Sequence, residues 1–184
     1  MAAALNAFMQ FLDSGGKPQA EGESKQGDTG AGNGHYRGWI ELQAWDWEVE
    51  AETSWTKGGG AAVGKPAPGK LNWEHSWDRS SNTILTFIST GRAFPKVKLE
   101  MCKATGEKGR RKFFSILMEE AFITKVNQSA TDEGNVLQKV EMVFKSIEIE
   151  YFQQGSGSDP GALAQAGKFD WNIPEGVAHP DSGG

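Results

Sequence analysis

Apolar and polar residues alternate along most of this chain at a period of two, the spacing that sends successive side chains to opposite faces of a strand. Leu5, Ala7, Met9 and Phe11 place a first strand over 4–12. Tyr36 to Glu52 predicts a second, with Ile40, Leu42 and Ala44 on one face and Trp45, Trp47, Val49 and Ala51 on the other. The phase flips at Ala44–Trp45, as in a strand with a bulge or bend. Glu48, Glu50 and Glu52 then line the wet face. Leu71, Trp73, His75 and Trp77 alternate again over Lys70–Asp78. Further strands follow over 96–103, 113–127 and 136–152. Phe114, Ile116, Met118, Phe122 and Val126 are expected on one face of the long one, with Phe113, Leu117, Ala121 and Ile123 on the other. The last strand flips phase between Phe144 and Ile147.

One segment changes period. Asp78 or Ser80 can cap a helix whose stripe is Ile84, Leu85, Phe87 and Ile88, with Gly91 to end it and Pro95 to prevent its return. Bent strands at hairpin spacing with one helix predict a mainly β fold, a small antiparallel β-barrel with one short flanking α-helix. Residues 1–152 make the barrel domain, with a solvated loop insertion at about 13–35 and an extended glycine loop at about 53–69. Residues 153–184 read as a flexible tail. Within that tail Phe169, Trp171 and Ile173 could dock in extended form.

Composition narrows the chemistry. The net charge of −5 argues against a general nucleic-acid binder. The opening MAAALNAFMQFL has no leading positive charge, and no run is long enough to span a membrane, so a soluble cytoplasmic chain without signal peptide or membrane insertion is expected. Cys102 is the single cysteine, which excludes an internal disulfide and a thiolate zinc cluster and leaves an inert, partly buried thiol. His35, His75 and His179 have no partner at metal spacing, and His75, between two tryptophans, reads as a packed histidine. GGAAVGKP at 59–66 imitates a phosphate loop, but Pro66 stands where that loop needs a hydroxyl and a helix start. No catalytic constellation, metal site or cofactor site is legible.

Charge is unevenly spread. Arg92 to Lys112 holds eight basic residues and two acidic, a net +6, which leaves −11 for the rest of the chain. Such polarity suits association of identical subunits, basic patch on acidic. A solvated basic hairpin explains the run equally well.

The ordered features are Gly22-Glu23-Ser24 after a first strand, the aromatic strand at 45–47, consecutive glycines at 58–60, and Asp78-Arg79-Ser80-Ser81 before the helix. A closing strand VFKSIEIEY at 143–151 completes the set. Together they resemble the haemolysin-coregulated protein (Hcp) family, the tube protein of bacterial type VI secretion, over about residues 5–152. The resemblance implies a barrel related to phage tail tubes, without enzymatic activity. It implies homohexameric rings stacked into a hollow tube inside a contractile sheath, with a spike protein at the tip and effector proteins in the lumen. It also implies export by the same apparatus from the bacterial cytoplasm to the extracellular space or into target cells. A tail-tube protein of a phage or phage-like contractile particle is the alternative, and a small barrel enzyme or ligand-binding module, which a monomer in solution would favour, is the competing class. On this reading the loop carrying Thr56, Lys57, Gly58, Gly59, Gly60, Gly64 and Lys65 contacts the next ring. Phe113, Leu117, Ala121 and Ile123, with Lys108, Arg110 and Arg111, are the expected lateral interface. The insertion around 25–35 and the tail depart from the family, which assigns them no role.

Overall fold

A computed structural model describes residues 5–26, 36–55, 61–104, 110–154 and 163–180. The strands are β1 (Ala7–Leu12), β2 (Pro18–Ala20), β3 (Ile40–Asp46), β4 (Val49–Trp55), β5 (Ala61–Pro68) and β6 (Leu71–Ser76). After the helix α1 (Arg79–Thr90) come β7 (Ala93–Ala104), β8 (Arg110–Ala130), β9 (Val136–Val143), β10 (Ser146–Gln154), β11 (Leu163–Asn172) and β12 (Val177–Pro180). Every pairing is antiparallel. The order β8-β7-β1-β3-β6-β9 closes on itself through β8–β9, giving a six-stranded barrel with no free edge. The expected mainly β barrel with one helix is therefore present.

Closure depends on bends. The ladder between β3 and β6 shifts between Leu42 and Ala44, so the alternation slips and both Leu42 and Trp45 turn inward. β8 does the same, less predictably, at Glu119 and Glu120. Both glutamates are exposed, and Glu120 takes φ +48, a left-handed conformation that a non-glycine residue adopts at some cost. Beyond it the faces exchange: Ala121 and Ile123 enter the core while Phe122 stands 43% exposed. Placing Ala121 and Ile123 on the outer face with Phe113 and Leu117 is thus corrected, because the expected phase runs straight through this kink. The same straight phase buries Phe122 wrongly. At Phe144 and Lys145 the partner strand bends in step, so β9 and β10 flank successive halves of β8.

The interior is filled by Met9, Phe11, Ile40, Leu71, Leu99, Ile116, Met118 and Met142, all essentially without solvent contact. α1 closes the barrel by setting Ile84 and Phe87 on it. Phe87 stacks on Phe94 at 3.8 Å, and Phe94 meets Phe11 at 4.3 Å. The helix begins where Asp78 accepts from the Ser80 amide while the Ser81 hydroxyl accepts from the Asp78 amide, a reciprocal cap. It ends at Gly91, whose φ of +64 suits glycine.

The segment after β1 is more ordered than the solvated-loop expectation. β2 pairs with β1, and Gly22 to Ser24 runs against Gly38 and Trp39 through backbone bonds of 2.8–3.0 Å. A Cβ on Gly22 would lie 2.3 Å from the Trp39 carbonyl oxygen, so only glycine fits there. This clasp holds Tyr36 and Trp39 against Phe8 and Cys102 in a small second core on the barrel's outer wall. The flexible-tail reading is also corrected. β11 joins β10 from Ser146↔Asn172 to Gln154↔Leu163, β12 follows, and Trp171 is 6% exposed in the main core. Phe169, Trp171 and Ile173 do dock, and the surface that receives them is the chain's own.

Candidate assembly surfaces

Glu50 and Glu52 leave the barrel on β4, with Glu48 just before it, rather than continuing β3. β4 and β5 pair only with each other, as a two-stranded ribbon separate from the main sheet. Its base is clamped. Trp47 Nε1 donates to the Gly69 carbonyl at 3.2 Å and its ring meets Phe144 at 6.1 Å, while the Gly69 amide donates to the Glu48 carbonyl at 2.8 Å. Further out the described side chains are solvated, with Val49 45% and Val63 69% exposed. Of the expected stacking residues, Gly64 and Lys65 lie on β5. Thr56, Lys57, Gly58, Gly59 and Gly60 lie outside the described residues. Lys65 reaches back over the turn after β11, where a Cβ on Gly176 would sit 3.5 Å from its Nζ.

The second surface is the outer side of β7 and β8. Leu117 is half-buried between Lys98 of β7 and Glu148 of β10. Phe113 is half-buried with Lys103 Nζ 4.2 Å above its ring. Arg111 opposes Lys103, and its Nε is shielded from solvent without a hydrogen-bond partner. Arg110 begins β8, but its side chain, like Lys108, lies outside the described residues. Lys112 is taken up locally, 3.4 Å from Glu100. Glu100 also accepts from the Tyr36 hydroxyl at 2.9 Å, which in turn accepts from the Cys102 thiol at 3.0 Å. Burial pushes the Tyr36 phenol well above its usual range, so this knot stays uncharged at Tyr36. Cys102 packs beneath it, buried.

His75 is fully buried. Its Nδ1 accepts from Trp73 Nε1 at 3.2 Å, which leaves the Nε2 hydrogen to face the Ser81 hydroxyl at 3.3 Å. Burial lowers its pKa from 6.5 to about 4. The ring ties β6 to the start of α1. Among the described residues no three His, Cys, Asp or Glu are arranged to hold a metal ion, and no helix is long and apolar enough to cross a membrane.

The outer walls carry the chain's own ion pairs: Lys139–Glu74 at 3.1 Å, Lys70–Glu141 at 3.0 Å and Lys168–Glu148 at 2.9 Å. The arrangement offers surfaces for contact. Among the described residues nothing brings a nucleophile, base and anion-stabilising donors together. Sequence reasoning missed the Tyr36–Trp39 core and the β11–β12 hairpin. The glycine at 22 was the available signal for the first.

Comparison with known proteins agrees with this architecture. A family model described as "Type VI secretion system effector, Hcp" matches residues 8–151. Protein hcp1 of Pseudomonas aeruginosa is 26% identical over 102 residues, 54% of this chain, and the chain spans 60% of that curated relative's length. A solved type six secretion system protein superposes with TM-score 0.77 at 19% identity, covering 96% of this chain and 100% of the other. Hcp1 from Salmonella typhimurium gives TM-score 0.69 at 19% identity over 96% and 100% of the two chains. Hcp1 from E. coli EAEC 042 gives 0.68 at 19% over 88% and 97%. At such identities the structures speak for the fold, and the family model for descent. Matched over most of its length, the chain belongs to the Hcp family of type VI secretion tube proteins.

Proposed function

We propose that this chain is a structural tube subunit of a type VI secretion system, forming hexameric rings that stack into a secreted hollow tube. Within that tube effector proteins travel, a contractile sheath surrounds it and a spike protein tips it. The supporting observation is the β4–β5 ribbon. Two strands alone are marginal in water, yet this ribbon leaves a closed barrel and exposes Val49 and Val63. A ribbon of that kind is stabilised by a surface on another subunit, and stacking supplies one. The lateral contacts are then carried by Phe113, Leu117 and Arg111 on the β7–β8 wall, with Lys108 and Arg110 beside them.

Mass by light scattering with negative-stain imaging tests this. The intact chain should form rings of six that stack at high concentration. Replacing residues 50–67 by two glycines should leave rings and abolish stacking. A clean monomer at high concentration defeats the proposal, and tubes that persist without the ribbon defeat its assigned role.

A further inference from the structure

We infer that the groove lined by Trp77 at the end of β6 is the socket for the basic β7–β8 end of a second copy of this chain. The inference rests on the tube-subunit reading and names the two surfaces that meet.

The groove holds about 620 Å³ between the Gly22–Ser24 clasp, β3 and the end of β6. Leu5 and Trp77 give it an apolar lining, and Trp77 is 39% exposed. Glu23, Glu41 and Asp78 line it against one cation, Lys25. Asp78 is committed to capping α1. The other two acids are open to a partner. Among the described residues Glu41 accepts from the Ser24 hydroxyl through Oε1, and Glu23 lies 3.9 Å from exposed Arg79. A tryptophan face beside carboxylates suits a guanidinium, which stacks on the ring while its N–H groups reach the oxygens.

The chain itself carries the complement. Lys103 and Arg111 sit opposite each other at the end of the strongly basic segment, Lys103 exposed and Arg111 half-buried. Topology places socket and plug at one level. Ala7 of β1 is opposite both Met101 of β7 and Leu42 of β3, so the β7–β8 end and the groove share one end of the barrel. They stand on different walls: β7 and β8 on one, β3 and β6 on the other, separated by β1 on one side and β9 on the other. One copy cannot bring them together, but side-by-side copies can. A contact joining two different patches on opposing walls at the same height is head-to-tail, the kind that closes into rings.

The test uses two charge reversals in the full chain, Glu41→Lys and Arg111→Glu, each checked for native circular dichroism. Each alone should raise the concentration needed for ring formation about tenfold or more, because it sets like charges face to face at every contact. Mixed in equal amounts they should form rings again. The lysine introduced in one variant's socket then meets the glutamate introduced in the other's plug, and the contacts between keep the native Glu41–Arg111 pairing. Trp77→Ala, which changes no charge, should weaken assembly while leaving the unassembled chain's unfolding midpoint within about 2 °C of wild type. Rings in either single variant at wild-type concentration, or no recovery on mixing, would overturn the socket while leaving the tube reading intact. Failure of the wild-type chain to form rings would remove the tube reading, and this inference with it.

Discussion

β6 and β4 are short strands of one chain, both alternating large and polar residues, yet they meet opposite fates. β6 sends Leu71, Trp73 and His75 into the barrel, where none is more than 3% exposed. β4 and the two residues before it alternate Trp47, Val49 and Ala51 against three glutamates, and beyond the clamped Trp47 neither Val49 nor Ala51 is buried. The difference lies in the neighbours. β6 has a strand on each side and a core beneath it, whereas β4 has one partner, β5, and water on both faces. Alternation thus specifies a strand with two unlike faces, and whether the apolar face is satisfied within the molecule is a separate question. In a subunit built to assemble, the answer differs between regions.

The strongest test of this contrast is to damage the buried side. Phe94→Ala removes a ring with no solvent exposure that stacks on Phe87 and touches Phe11. The loss of transfer energy and the cavity left behind should cost about 3–5 kcal/mol. Thermal or denaturant unfolding of the unassembled chain measures it. A loss below about 1 kcal/mol would mean that the barrel is not the seat of stability.

Acid should weaken the same region. His75 binds a proton near pH 6.5 when unfolded but only near pH 4 in the barrel. Stability from this group is therefore complete above pH 6.5 and is lost as pH falls toward 4, by about 3 kcal/mol in all. At the N-cap of α1, whose Ser81 faces the ring, Asp78 is itself pushed above the usual carboxylate range by burial; its protonation offsets part of the loss at the acid end. Gln138 of β9 and Leu42 of β3, opposite His75, carry no charge. Unfolding midpoints between about pH 7 and 4.5 should fall steeply in the native chain and much less in His75→Gln. Equal slopes would show that the acid sensitivity lies elsewhere.

How legible this was follows the same line. The helix is readable at both ends because caps act locally: Gly91 marks its stop, and of the two cap candidates Asp78 and Ser80 the structure takes Asp78. A slip near Ala44–Trp45 is readable because the flanking residues are large enough to mark a change of face, though the ladder shifts earlier, between Leu42 and Ala44, and leaves Ala44 exposed instead of facing in with Leu42. The kink at Glu119–Glu120 is not. Two adjacent glutamates carry no phase, and a left-handed glutamate has no signature, so Ala121 and Ile123 fall on the wrong side. β5 is hidden by Pro66 and Pro68, which discourage a strand unless one edge is free, as it is in this ribbon. β11 and β12 are hidden by a glycine-, serine- and alanine-rich approach. Their anchor, Trp171, stands out in the sequence, but its receiving surface on β10 and the core comes only from the fold. The candidate surfaces are legible as segments. Which face each presents is not.

The subtlest test lies on the ribbon. Val63 is 69% exposed on a strand that pairs with β4 and, through Lys65, approaches the turn at Gly176. In the unassembled chain Val63→Ser removes almost no buried apolar surface. Its effect on stability should stay within about 0.5 kcal/mol, under about 2 °C in Tm for a domain of this size. In the assembled state the same side chain is proposed to lie between stacked subunits, where losing it costs the burial and leaves rings less able to form tubes. Measuring both quantities on one variant separates the two regions directly. A Tm shift as large as that of a core substitution would mean that the ribbon folds into the monomer's own core, and the contrast with β6 would disappear. An unchanged Tm with unchanged tubes would leave the ribbon's apolar face with no partner at all.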